Sequence, residues 1–134
     1  MQEKTVKLDK NIEKVVREIL KSRARARIYV YLIGRNGAKS EQIIKGTKLH
    51  PSTVREMLSE MHNKKLIYRK KIQKGSIGKN PYMYFAIPPV ELLNRYRSEM
   101  EDGLNRLARI AFSSSNQPYN GSVKIKIIEG TEDI

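Results

Sequence analysis

Residues 50–72 read HPSTVREMLSEMHNKKLIYRKKI, and the hydrophobic period changes partway along them. From Pro51 to Lys64 the apolar residues Val54, Met57, Leu58 and Met61 recur every three or four positions, the spacing of one buried helical face. Proline opens that helix at no cost, because the N–H it lacks would have no intrahelical partner there. Ser52, Thr53, Arg55, Glu56 and Ser59 fall largely on the opposite side, so small polar and charged groups face outward. From Leu66 to Ile72 the pattern is that of a strand.

Working outward, Ser40 precedes a short helix from Glu41 to Gly46 with Ile43 and Ile44 turned inward. Thr47-Lys48-Leu49 makes the tight turn into Pro51. Further upstream, Ser22 caps a helix from Arg23 to about Arg35, with Ala24, Ile28, Tyr31 and Leu32 as its stripe and Ala26 and Val30 alongside. Gly34-Arg35-Asn36-Gly37 stops it. Asp9 caps a first helix, Lys10 to Lys21, whose inward residues are Ile12, Val15, Val16, Ile19 and Leu20. Downstream, a second strand runs from Tyr82 to Ile87, and the polar, glycine-containing residues 73–81 make a long basic hairpin tip. Helix, turn, helix and basic hairpin is the order of a winged helix-turn-helix, so the expected class is mainly α with a small β-hairpin wing.

After Pro88-Pro89 a long C-terminal helix is expected from Val90 to about Phe112. Leu93, Tyr96, Met100, Leu104 (or Gly103), Leu107 and Ala111 step along it by three or four, a seam of roughly three heptads. Such a seam predicts a coiled-coil-like homodimer; the alternative is packing on the first helix of the same chain. Residues 113–122 read as a linker, Val123 to Ile128 alternates like a short strand without an evident partner, and 129–134 is acidic. The expected organisation is a DNA-binding domain at 1–87, a dimerisation helix at 88–112, and a linker with a short strand or tail at 113–134.

The chain carries a net charge of +13. Lys21 to Lys79 holds sixteen Lys or Arg against three acids (Glu41, Glu56, Glu60), so the whole excess lies in this segment and the flanks balance. Such a field attracts a polyanion, of which nucleic acid is the commonest. A membrane partner is not expected: no apolar run approaches the ~18 residues of a span, and no basic helix carries a bulky aromatic face. No signal-peptide pattern opens the chain, and a cytoplasmic, nucleoid-associated location is the default expectation. With no cysteine there is no disulfide and no cysteine-held zinc. A helix start and a polar helix end account for His50 and His62, so no metal or cofactor is expected. Gly75-Ser-Ile-Gly78-Lys79 is too short for a phosphate-binding loop and lies in a hairpin. No catalytic triad, paired carboxylates or dinucleotide fingerprint appears, and the chain is not read as an enzyme.

From Ala24 to about Leu107 the sequence resembles the archaeal TrmB-like family of winged-helix transcriptional regulators. The likeness is carried by ARIYVYLIGRNGAKSEQIIKGTKLHPSTVREMLSEMHNKKLIYRK at 26–70 and YMYFAIPPVELLNRY at 82–96. Most specific is the join of the last wing strand to Pro88-Pro89 and an acidic-apolar helix, which in that family leads into a dimer-forming helix. The helix-turn-helix alone also resembles MarR-like and ArsR-like domains. Lys65 stands where the family usually has glycine, and the wing tip is longer and more basic than usual. No sugar-sensing domain of the larger members is read here, so the resemblance implies DNA binding without sugar sensing.

The resemblance makes Pro51 to Lys64 the helix that enters a major groove. Ser52, Thr53 and Arg55 near its start, and Ser59 further along, are the expected groove contacts. Arg55 suits a guanine edge or a phosphate. Lys39 and Ser40 open the preceding helix, where N–H groups and the helix dipole favour a phosphate. Arg23, Arg25 and Arg27 alternate and cannot share one helical face, so they divide between DNA and solvent. Lys70, Lys71, Lys74 and Lys79 are the wing's electrostatic cluster. The expected partners are double-stranded DNA and a second copy of the chain, with any small-molecule effector unspecified. An architectural chromatin protein and a protein-interaction winged helix are the competing functions.

Overall fold

A computed structural model describes residues 10–72, 82–113 and 121–130. The Asp9 cap, the hairpin tip with Lys74 and Lys79, most of the serine-rich linker and the last four residues lie outside them. The chain divides between Pro88 and Pro89 into two units.

In the first unit the element order is α1 (Ile12–Leu20), α2 (Arg23–Arg35), β1 (Ala38–Lys39), α3 (Ser40–Thr47), α4 (Pro51–Asn63), β2 (Ile67–Lys71) and β3 (Tyr82–Ala86). This is a winged helix-turn-helix preceded by an extra helix. Ser22 caps α2 as its sequence implies, its Oγ accepting from Arg25 N–H at 3.2 Å. The helix ends in a Schellman motif: Asn36 is left-handed at φ 56°, and Gly37 N–H donates to Leu32 O at 3.1 Å. The α3 N-cap is Lys39 rather than Ser40, and its N–H donates to Gln42 Oε1 at 2.9 Å.

The core is built where α2, α3 and α4 meet. Ile28, Leu32, Ile43, Val54 and Met61 are the largest fully buried side chains, and Leu58, Leu66, Ile67, Tyr84 and Ile87 close over them. Each such burial contributes roughly 1.5–3 kcal/mol. On α1 only Val16 and Leu20 are buried, whereas Val15 is 52% exposed. At 100° per residue Val15 falls well off the face shared by Val16 and Leu20. On α2 the buried aromatic is Tyr29, not Tyr31, and its hydroxyl donates to Ile87 O at 2.7 Å.

The sheet has three antiparallel strands in the order β1-β3-β2, one more than the hairpin expected from sequence. A two-residue strand is too short to show a period, and only its pairing of Ala38 with Tyr84 and Lys39 with Met83 defines it. Gly37, at φ +104°, lets the chain turn into β1 beneath the Phe85 ring, which a Cβ there would strike. The end of α4 explains the lysine found where a glycine is usual. Lys65 is left-handed at φ 59°, with its N–H on His62 O and Leu66 N–H on Met61 O, a second Schellman motif.

The second unit contains α5 (Pro89–Ser113) and an extended segment at 121–130. Val123 to Ile128 joins no sheet. Its backbone bonds instead to polar side chains spaced by four along α5. Val123 N–H donates to Asn105 Oδ1 at 2.6 Å, and Asn105 Nδ2 donates back to Val123 O at 3.1 Å. Ile125 N–H donates to Glu101 Oε2 at 2.9 Å, and Arg97 pairs with that carboxylate at 3.3 Å.

Two substitutions test the left-handed positions. Lys65→Gly should raise unfolding free energy by about 1 kcal/mol by relieving the Cβ clash. Gly37→Ala should lower it by on the order of 1–3 kcal/mol, through its φ and the Phe85 ring. Urea denaturation of both variants checks the pair.

Candidate nucleic-acid interface

Helix α4 buries Val54, Leu58 and Met61 and leaves Ser52, Arg55, Glu56, Ser59 and Asn63 exposed. At 100° per residue these five cluster on the side opposite the buried three. Pro51 opens the helix, and His50 caps it through Nδ1, which accepts from Ser52 N–H at 3.2 Å. Ser52 Oγ lies 2.7 Å from the same nitrogen, so that hydroxyl is part of the cap. Thr53 is half-buried on the flank, whereas Arg55 and Ser59 are fully outward.

The wing's expected cluster is split by the strand pleat. Ile67 is buried, so Arg69 and Lys71 share its face, while Tyr68 and Lys70 share the other. Tyr68 stacks on Phe85 at 5.3 Å, and the Lys70 ammonium sits over the same ring at 5.4 Å. On the Ile67 face the Arg69 guanidinium lies 4.2 Å from the centroid of Tyr82. Arg69 was not among the expected contacts, although counting by two from Ile67 puts it beside Lys71. Lys39 and Ser40 stand by β1, at the opposite edge of the sheet from β2.

The three alternating arginines of α2 have separate tasks. Arg25 Nη2 donates to Glu60 Oε2 at 2.6 Å, tying α2 to α4 across thirty-five residues. Arg27 pairs with Glu13 of α1 at 3.3 Å. Arg23 joins Arg27, Lys10, Lys14 and Arg17 around a notch of 170 Å³ between α1 and α2, where Glu13 is the one acid among the described residues. The flank that counts as balanced in sequence therefore adds three cations to the basic surface.

Between α4 and the wing opens a second notch, of 270 Å³, lined by Arg55, Leu58, Ser59, His62, Asn63, Arg69 and Tyr84. Among the described residues no helix is long and apolar enough to cross a membrane, and no group of three or more potential metal ligands converges.

No family model matches the chain, and no curated protein does. Among solved structures it is similar to a possible transcriptional regulator from Methanosarcina mazei Go1, with a TM-score of 0.65 and 17% identity. That likeness covers 86% of this chain and all of the archaeal one, so the fold is shared well beyond the helix-turn-helix.

The Arg25–Glu60 pair is only partly buried, which limits its value to about 1 kcal/mol. Glu60→Ala should cost that much stability and leave Arg25 without its carboxylate. A double-mutant cycle with Arg25→Ala checks it, since the pair predicts less destabilisation in the double variant than the two singles add up to.

Proposed function

We propose that the chain is a sequence-reading, duplex-DNA-binding transcriptional regulator of the TrmB-like kind, acting as a homodimer through α5. The observation that carries the reading is the outward face of α4. Ser52, Arg55, Glu56, Ser59 and Asn63 form a line of hydrogen-bonding side chains on a rigidly seated helix, in a chain of net charge +13. A helix of this kind fits the major groove, where each base pair has a distinct donor and acceptor pattern. The archaeal protein of the same fold, described as a possible transcriptional regulator, fits this reading.

Glu56 favours a selective reader over an architectural binder. A carboxylate on the groove-facing side repels phosphates and weakens contact with every sequence. It is repaid where it accepts a hydrogen bond from a cytosine amine, a contact that discriminates by ~1–3 kcal/mol. Among the described residues Glu56 forms no ion pair.

Support for the dimer comes from α5. Leu93, Met100, Leu104 and Leu107 are 43%, 40%, 39% and 62% exposed, Ala111 is exposed, and Tyr96 is half-buried. The Arg97, Glu101 and Asn105 ladder that holds the extended segment occupies a neighbouring face and leaves this seam open. Two such seams packed together would bury these residues as a and d positions.

Selection from a random DNA pool should yield a preferred duplex that survives competition by excess random duplex. Displacement from every selected duplex would refute the selective reader and leave the architectural one. Glu56→Gln should strengthen binding to random duplex while relaxing preference at one base pair by ~1–3 kcal/mol. In sedimentation at micromolar concentration the chain should run at twice its mass, and Leu104→Glu should return it to a monomer. An unchanged mass in that variant would remove α5 from the interface.

A further inference from the structure

The notch between α4 and the wing gathers basic and polar side chains from two elements. Arg55, Ser59, His62 and Asn63 reach it from α4 at spacings of four, three and one, and Arg69 reaches it from β2. Leu58 and Tyr84, both buried, form its floor. Among the described residues no carboxylate lines it, and neither Arg55 nor Arg69 is ion-paired. Two guanidinium groups, an imidazole, an amide and a hydroxyl thus converge on 270 Å³ without an acid to neutralise them. Arg69 is also held in place, since stacking over Tyr82 at 4.2 Å limits its rotamers before any ligand arrives.

The chemistry that such a set recognises is a tetrahedral oxyanion. Planar guanidinium forks bond phosphate oxygens in pairs, and neutral donors take the remaining lone pairs. The position of the notch selects the source. With α4 in a major groove and the wing beyond it, the sugar–phosphate strand separating that groove from the next minor groove passes between the two elements. The notch opens at that junction.

We infer that this notch is a phosphate clamp, in which Arg55 and Arg69 grip one backbone phosphate of the duplex with Ser59, His62 and Asn63 as supporting donors. The inference rests on the DNA-binding reading and sharpens it. It assigns Arg55 to the backbone rather than to a base edge, and leaves selectivity to Ser52 and Glu56. It also makes the wing strand, and not only the wing tip, part of the interface.

The test is fluorescence anisotropy with a labelled mixed-sequence duplex of about three helical turns, titrated across a range of salt concentrations. Arg69→Gln should weaken binding on the order of tenfold at low salt. It should reduce the slope of log K against log salt by about 1 and leave the order of preference among duplexes unchanged. Arg55→Gln should do the same, and the double variant should lose less than the product of the two singles, because both contact one phosphate. Ser59→Asp, an exposed change that does not touch the core, should weaken binding through repulsion alone.

An unchanged salt slope in Arg69→Gln, with wild-type binding intact, overturns the clamp and spares the DNA-binding reading. Wild-type protein that binds no duplex even at low salt overturns both. A separate arm measures thermal stability with inorganic phosphate or tripolyphosphate. If these stabilise wild type but not Arg69→Gln, and the duplex salt slope is unaffected, the phosphate comes from a small molecule and the duplex assignment falls.

Discussion

The surface proposed to meet DNA depends on how Ile87 is held. Its N–H donates to Leu66 O at 3.0 Å, and its carbonyl accepts from the buried Tyr29 hydroxyl at 2.7 Å. Leu66 leaves the second Schellman turn directly after α4, and Ile87 directly follows the returning wing strand, so the first bond closes the base of the hairpin. The second anchors that base to α2. A buried hydroxyl and carbonyl would each be costly to leave unpaired, and together they specify one seating of the wing. Without that seating, β2 and α4 would not share a notch.

The same scaffold explains how charge is deployed. A basic chain must keep its cations from repelling one another in the folded state. Here Arg25 and Arg27 are spent on Glu60 and Glu13, holding α2 to α4 and to α1. Lys10, Lys14, Arg17 and Arg23 gather around the α1–α2 notch, and Arg55 and Arg69 between α4 and the wing. A pleated strand then sorts the rest. Lys70 lies over Phe85 on one face, while Arg69 turns toward α4 on the other.

In the second unit α5 uses two faces for two purposes. Asn105 and Glu101 supply the donors and acceptors that a neighbouring strand would give to Val123 and Ile125. This is why a segment with a strand's alternation belongs to no sheet: its backbone is satisfied by helix side chains instead. The leucine and methionine seam beside that ladder stays exposed. Polar residues at one helical spacing and apolar residues at another thus let a single helix hold its own tail and leave an apolar seam exposed.

Much of this was legible from residue order, because it depends on local rules. The Ser22 cap, the stop at Asn36-Gly37, the start of α4 at Pro51 and its buried Val54, Leu58 and Met61 follow from spacing and backbone preference, which the chain carries with it. So did the change of period at Leu66 and, with it, the winged-helix order. Other features were decided only by packing. Tyr29 and Tyr31 both fit a helical stripe, and only the position of Ile87 chooses between them. Two-residue β1 exists only because β3 lies beside it. Arg69 joined Arg55, His62 and Asn63 only once β2 and α4 were fixed against each other. The sequence alone determined the elements and the sign of their charge. The tertiary structure decided which charges meet, because that depends on distances between elements that no local period encodes.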